Sequence, residues 1–173
     1  LPLTREFTTG GAKVLAFDID EKKIKKLNAG KSYIEHIPSS TVKNMKKSGL
    51  FSATSDFKQL RKADCILIAV PTPLSKMREP DLSYVEATAR AITKTLRPGQ
   101  LIVLESTTYP GTTTEVLLPI LEESGLKVGK DFFLAFSPER EDPGRKDYTT
   151  KTIPKVVGGY DEKSLAAAVA CYE

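Results

Sequence analysis

The stretch Asp64-Cys65-Ile66-Leu67-Ile68-Ala69-Val70-Pro71-Thr72-Pro73 decides the fold class of this chain. Its apolar run has the length of one buried strand, and the prolines end that strand abruptly. Apolar residues at helical spacing follow from Leu82 to Leu96, and a second apolar run begins at Leu101. This order predicts two parallel strands joined by a helix.

The same alternation of strand and helix signals runs along the whole chain. Further strands are predicted at residues 13–18, 51–54, 101–105, 132–136 and 155–157. Further helices are predicted at residues 1–9, 20–30, 39–47, 112–124 and from 161 onward, with a brief helical turn at 57–61. Repeated strand–helix units with short turns predict an α/β fold with a parallel sheet that is wound on both faces.

Length, composition and charge exclude several classes of protein. The 173 residues, 40% hydrophobic and 28% charged, suit one soluble domain with a sizeable core. The net charge of +4 suits an anionic ligand, but the basic residues are too scattered for a nucleic-acid partner. We see no apolar run that could cross a bilayer and no signal peptide, so we expect a cytoplasmic protein without a membrane partner. No metal site is predicted.

The two cysteines do not form a disulfide framework. Cys65 lies in the apolar strand 64–70 and is expected to be buried, and Cys171 lies in an Ala-rich helix. Neither has a base or a helix N-terminus nearby in the sequence, so we expect neither to be a catalytic nucleophile. A reducing compartment fits this usage.

An acid, Asp18, ends the strand predicted at 13–18. In a dinucleotide-binding fold such an acid accepts hydrogen bonds from the adenosine ribose and repels a 2′-phosphate, which favours NAD over NADP. An equally good interpretation is that Asp18 or Asp20 only caps the next helix. Residues 1–9 look like the helix that follows a phosphate loop, so we expect a Rossmann-like sheet that lacks its first strand and Gly-rich loop.

Hydroxyl side chains follow two of the predicted strands. Val70-Pro71-Thr72 forms a rigid turn in which the hydroxyl has a defined direction, suited to a nucleotide; a plain stiff turn is the alternative. The stretch Glu105-Ser106-Thr107-Thr108-Tyr109-Pro110-Gly111-Thr112-Thr113 leads from a strand into a helix N-terminus. That position suits a phosphate, a ribose or a catalytic water, although one of its hydroxyls could simply cap the helix.

A charged segment follows the apolar strand that ends at Phe136. Glu139 is a candidate general base, and Arg140 could pair with a phosphate. The alternative is a surface loop held by salt bridges. The carboxyl end of a strand in an open α/β sheet is where such proteins build their sites, which favours the functional interpretation.

Taken together, these segments resemble the N-terminal NAD-binding domain of the UDP-glucose/GDP-mannose dehydrogenase family over nearly the whole chain. The UDP-N-acetylglucosamine 6-dehydrogenase branch looks the most similar. The stretches that carry the resemblance are Lys31–Ile37, Val70–Leu74, Arg78–Leu82, Glu105–Thr113 and Ser137–Gly144.

The resemblance implies a C6 alcohol of a UDP-sugar oxidised to a carboxylate in two NAD-dependent hydride transfers, for surface polysaccharide precursors. It implies cofactor contacts from Asp18, Lys23, Val70, Pro71, Thr72, Ser106 and Thr107. It also implies that Thr107 places a catalytic water and that Glu139 acts at the sugar, with Arg140 and Glu141 on the substrate. The UDP-glucose enzymes carry a second glutamate where this chain has Pro143, which leaves open whether Glu141 takes that part.

The resemblance also implies a domain organisation. Residues 1–160 would be an N-terminally truncated NAD-binding domain, and 161–173 would begin the helical segment that leads to the middle and C-terminal domains. The nucleophilic cysteine and the catalytic lysine of the family would lie beyond Glu173, so we expect this chain alone to be inactive and its parent to be a homodimer. The alternatives are a dehydrogenase of UDP-N-acetylmannosamine or UDP-glucose, or a nucleotide-binding module without catalysis.

Overall fold

A computed structural model describes residues 1–75, 78–138 and 154–173 of the chain. The described α-helices are α1 (Pro2–Thr9), α2 (Glu21–Asn28), α3 (Ser39–Lys47), α4 (Ser83–Thr93), α5 (Leu118–Glu122) and α6 (Glu162–Tyr172). The described strands are β1 (Val14–Phe17), β2 (Phe51–Thr54), β3 (Cys65–Ile68), β4 (Leu101–Leu104), β5 (Phe133–Phe136) and β6 (Gly158–Gly159). They fall into two compact units, with described residues 1–57 in the first and 58–75, 78–138 and 154–173 in the second.

The first unit is a parallel pair of strands with three helices. β1 and β2 run side by side, with Val14 opposite Phe51 and Phe17 opposite Thr54. Helix α2 begins where the side chain of Asp20 accepts hydrogen bonds from the backbone of its first turn. Its apolar positions repeat at helical spacing, and they join a small buried core made by Ile24, Leu27, Val42, Met45, Phe51 and Ala53.

The second unit is built on a four-stranded sheet in the order β3-β4-β5-β6. β3, β4 and β5 are parallel, so Cys65, Leu101 and Phe133 share one row at their starts. One face of this sheet packs against Ala168 and the neighbouring residues of α6. The alternate residues, on the opposite face, are buried as well: Ile66, Ile68, Ile102, Leu104 and Leu134. The predicted Rossmann-like α/β fold with parallel strands is therefore confirmed.

The last strand differs from the prediction in place and direction. β6 lies at Gly158–Gly159 instead of 155–157, and it pairs antiparallel to β5 at the end of the otherwise parallel sheet. The β-branched residues Val156 and Val157 favoured a strand at 155–157. The observed position is instead determined by packing against α6. A Cβ on Gly159 would collide with the backbone of Leu165 in α6, so only glycine brings the strand this close to the helix.

The helix predicted at 112–124 is two helices of different winding. Residues Thr112–Leu117 form a π-helix, and α5 continues from Leu118. Pro119 explains the change, because it lacks the N–H that would bond the carbonyl of Glu115 in an α-helix and its ring would crowd that carbonyl. The helix predicted at 82–96 is also shorter at both ends, at Ser83–Thr93.

Within the described parts of the chain, no helix combines the length and the apolar character needed to cross a bilayer.

Candidate functional site

In the first unit, Asp18 stands at the carboxyl end of β1, directly before α2. Its Oδ1 accepts a hydrogen bond of 2.9 Å from the backbone N–H of Asp20, and its Oδ2 lies 3.3 Å from the Lys23 ammonium. The helix cap is supplied by Asp20, whose Oδ1 lies 2.8 Å from the N–H of Lys22. Asp20 is therefore the cap of α2, and Asp18 is not.

Lys23 links this acid to an aromatic ring. Its ammonium lies 5.5 Å from the centre of the Tyr33 ring, within cation–π range, and the Asp18 carboxylate holds the pKa of Lys23 above its usual value through a hydrogen bond and charge attraction. Burial, followed by the nearby Asp18 charge, raises the pKa of Tyr33. The result is a charge-balanced surface group whose acid remains partly open to solvent, with 25% of the Asp18 side chain exposed.

In the second unit, the end of β4 is held to the end of β3 by the buried hydroxyl of Ser106. Its Oγ accepts a hydrogen bond of 2.9 Å from the Val70 N–H and lies 2.8 Å from the Val70 carbonyl oxygen. The carbonyl of Ile68 also accepts from the Glu105 N–H at 2.9 Å and the Ser106 N–H at 3.1 Å. Ser106 thus fixes the backbone of the turn that begins at Val70 and continues into Pro71.

A second bond joins the same two loops farther from the strands. The Thr72 hydroxyl donates a hydrogen bond of 2.7 Å to the backbone carbonyl of Thr107. Thr107 itself is exposed. Four of the predicted cofactor residues, Val70, Thr72, Ser106 and Thr107, are therefore brought together at the carboxyl ends of parallel strands, where open α/β sheets bind ligands.

A buried acid, for which the sequence predicted no role of its own, lies beside these loops. Glu105 is only 1% exposed, and its Oε2 lies 3.0 Å from the ammonium of Lys155. Its Oε1 accepts a hydrogen bond from the Tyr172 hydroxyl, and the Lys155 ammonium lies 4.7 Å from the centre of the Tyr172 ring. Burial, followed by this hydrogen bond and the Glu105 charge, raises the pKa of Tyr172. We call Glu105, Lys155 and Tyr172 the acid cluster.

The acid cluster and its neighbour Ser137 connect the ends of β4, β5 and α6 to the segment at residues 155–156. Ser137, buried directly after β5, donates from its Oγ to the carbonyl of Val156 at 2.9 Å. The Ser137 hydroxyl also opposes the rise in the pKa of Tyr172. One signal in the sequence could have pointed to this cluster: Glu105 is an acid that directly follows the apolar run Leu101–Leu104. Glu139, Arg140 and Glu141 lie outside the described residues, so their predicted roles stay predictions.

Comparison with known proteins places this geometry in a family. The model of the UDP-glucose/GDP-mannose dehydrogenase family, NAD binding domain, matches residues 1–173. The chain is 43% identical over 161 residues to the protein CapL of Staphylococcus aureus, covering 92% of this chain and 37% of that protein. It is 36% identical over 162 residues to the UDP-N-acetyl-D-glucosamine 6-dehydrogenase of Pseudomonas aeruginosa, with the same coverage of 92% and 37%.

A solved structure agrees with these matches. The UDP-D-ManNAc dehydrogenase of Pyrococcus horikoshii superposes with a TM-score of 0.89 at 35% identity, over 99% of this chain and 41% of that one. The chain thus spans about two fifths of the length of these relatives. The chain belongs to the UDP-glucose/GDP-mannose dehydrogenase family and represents its NAD-binding domain.

Proposed function

We propose that the protein carrying this chain oxidises the C6 hydroxymethyl group of UDP-N-acetylglucosamine to a carboxylate, as a step toward surface polysaccharide precursors. The observation that carries the proposal is the pair of hydroxyl-rich loops joined by Thr72 and Thr107 at the carboxyl ends of β3 and β4. The choice of sugar rests on the P. aeruginosa relative and on the resemblance of the Ser137–Gly144 stretch to that branch.

The residues of the first unit fit the NAD cofactor. A carboxylate offers about four acceptor positions, of which Asp18 uses one for the Asp20 N–H and one for Lys23. The remaining positions can accept hydrogen bonds from both hydroxyls of an adenosine ribose. The negative charge of Asp18 repels a 2′-phosphate, and the positive charge of Lys23 reduces part of that repulsion. We infer a preference for NAD that depends on both residues.

The chemistry requires groups that move protons and hold a water. NAD, when bound, supplies the acceptor for each of the two hydrides that leave C6. The alcohol proton must pass to a base, for which we propose Glu139, and one water must supply the second carboxylate oxygen. We propose that the exposed hydroxyl of Thr107 holds that water, because Thr72 fixes its backbone. Arg140 is proposed to pair with the substrate's phosphates and Glu141 to contact the sugar.

Activity with a panel of sugars tests the proposal. The protein that carries this chain is assayed with NAD and, in turn, UDP-N-acetylglucosamine, UDP-N-acetylmannosamine, UDP-glucose and GDP-mannose, and NADH and the sugar acid are measured. We expect the highest kcat/KM with UDP-N-acetylglucosamine and two NADH for each sugar acid. A higher kcat/KM with another sugar would overturn the choice of substrate. NAD binding by calorimetry with no sugar oxidised would instead indicate a binding module.

A substitution tests the part assigned to Thr107. Thr107→Ala should lower kcat by about a hundredfold, the lower range for loss of a positioned catalytic group, with little change in the KM for the sugar. Thr108→Ala, which removes the neighbouring hydroxyl, serves as the matched control and should keep most of the activity. Equal losses in the two variants would contradict the assignment.

The quaternary structure and the domain organisation are further proposals. We propose that the protein is a homodimer, which light scattering of the purified protein tests. Residues 161–173, in which α6 lies, are proposed to lead into the following domain of the parent protein.

A further inference from the structure

The two cysteines of the chain meet across the second unit. Cys65 begins β3 and Cys171 lies in the last turn of α6, yet their sulfur atoms are 3.2 Å apart although 106 positions separate them in the chain. Both are free thiols and both are half-buried, so Cys65 is more accessible than its place in an apolar run predicts. A disulfide bond of about 2.05 Å therefore needs an approach of only about 1 Å.

The surroundings of the pair make its two thiols unequal. The two thiols share a hydrogen bond, with their sulfur atoms 3.2 Å apart. This bond raises the pKa of Cys65 and lowers that of Cys171, and burial raises the pKa of Cys65 further. The charge of Glu105 opposes ionisation of both, and Asp64 adds to that effect at Cys65. Cys171 is therefore the sulfur with the greater thiolate character, and the thiolate is the reactive form.

We propose that Cys65 and Cys171 are an oxidisable dithiol, which a hydroperoxide converts to a disulfide that joins the start of β3 to the last turn of α6. The Cys171 thiolate attacks a peroxide oxygen and breaks the O–O bond, forming a sulfenic acid and releasing an alcohol or water. The Cys65 thiol then attacks that sulfur, its proton passes to the sulfenic oxygen, and that oxygen leaves as water as the disulfide bond forms. The peroxide gains the two electrons that the two thiols lose.

The position of this bond gives it a consequence for the candidate site. Tyr172 follows Cys171 and donates a hydrogen bond to Glu105, the residue directly before Ser106. A disulfide at Cys171 would therefore restrain the end of α6 that holds the acid cluster. Because the chain has two cysteines, an intrachain disulfide can form only between these two. The proposal does not depend on the proposed substrate.

Mass spectrometry of the full chain tests the proposal. The reduced chain is treated with hydrogen peroxide, its remaining thiols are alkylated, and its intact mass and peptides are measured. We expect loss of two hydrogens, no alkylation, a peptide that links residues 65 and 171, and reversal by dithiothreitol. We also expect the oxidised chain to melt about 10 °C higher, because the cross-link closes a loop of about 100 residues. Two alkylated thiols after treatment, or cross-links between chains only, would overturn it.

Single substitutions separate the two steps. In Cys65→Ser, dimedone should trap a sulfenic acid on Cys171, whereas in Cys171→Ser it should label Cys65 several-fold more slowly. Equal labelling of the two variants would overturn the order of attack. Where a variant fails to fold, the mass of the oxidised wild-type chain still decides whether the disulfide forms.

Discussion

The hydroxyl of Thr72 donates its hydrogen to the backbone carbonyl of Thr107 at 2.7 Å, so the loops after β3 and β4 are held by a side chain rather than by backbone pairing alone. Because a hydroxyl has one hydrogen, Thr72 can meet a bound cofactor only as an acceptor. Thr72→Val keeps the shape of the side chain and removes the bond. We expect about a fivefold lower kcat/KM for NAD, corresponding to about 1 kcal/mol.

Thr72→Ser is the matched control for this prediction, since it keeps the hydroxyl. It should stay close to the wild type in steady-state kinetics with varied NAD. Wild-type kinetics in Thr72→Val would show that the bond does not position the Thr107 loop.

Substitutions of the two acids near the start of α2, Asp18 and Asp20, should have different effects. Asp18→Asn should weaken NAD binding about tenfold and narrow the preference over NADP, because Lys23 loses its carboxylate partner and can meet a 2′-phosphate. Asp20→Ala removes the helix cap and should cost about 1 kcal/mol in the free energy of unfolding. Calorimetry with both cofactors and urea unfolding measure these effects. An unchanged NAD/NADP ratio in Asp18→Asn would refute the ribose assignment.

Ser106 should contribute to stability more than its size suggests. Ser106→Ala leaves the partly buried Val70 N–H without its side-chain acceptor and should lower the free energy of unfolding in urea by about 1–3 kcal/mol. Thr88→Ala is the control, because its hydroxyl only returns to the Tyr84 carbonyl within α4 and alanine is the better helix former. If both variants were equally stable, the buried hydroxyl would have no special role.

Removal of one charge from the acid cluster should destabilise the folded chain. Lys155→Met removes the cationic partner of the Glu105 carboxylate, which is 1% exposed. We expect the free energy of unfolding to fall by about 3–5 kcal/mol. The double variant Glu105→Gln with Lys155→Met removes both charges and should recover part of that loss. A double-mutant cycle in urea gives the coupling energy. Additive effects would show that the two charges do not interact.

Tyr172 should make the stability of the chain sensitive to alkali. Its pKa is raised above the usual 10.0, mainly by burial, so the folded chain keeps a proton that the unfolded chain loses. The stabilisation is complete below pH 10 and declines as the pH rises above that value. In urea unfolding on either side of pH 10, Tyr172→Phe should lose stability less steeply than the wild type. Parallel pH profiles would contradict this.

Local patterns predicted most of the fold. The cap residue Asp20, the apolar spacing of α2 and the apolar runs of β3 and β4 each carry their signal within a few residues, and the structure confirms them. The predicted position of β6 was wrong, because the strand's place depends on a contact between Gly159 and the helix that follows it. The prediction of a single helix over residues 112–124 missed the π-helix at residues 112–117, because Pro119 changes the winding of the turn that precedes it.

The candidate site was predictable to the extent that its residues follow strands. Asp18, Thr72 and Thr107 were each identified as polar residues that follow a predicted strand, and in the structure they come after β1, β3 and β4 respectively. The acid cluster was missed because its partners are distant in the chain, with Lys155 and Tyr172 lying 50 and 67 positions after Glu105. Burial of a charge is a property of the tertiary structure, and no local pattern reports which residue neutralises it.

The pairing of Phe136 with Gly158 has a consequence for how such enzymes diversify. The two strands, together with the bond from Ser137 to Val156, hold both ends of the intervening segment, which includes Glu139 and Arg140. The entropy of closing a segment between fixed ends changes slowly with its length. Insertions, deletions or exchanges between these anchors should therefore leave the sheet and the nucleotide loops intact. On the roles proposed for Glu139 and Arg140, replacement of this one segment would change the preferred sugar and leave the cofactor-binding loops unchanged.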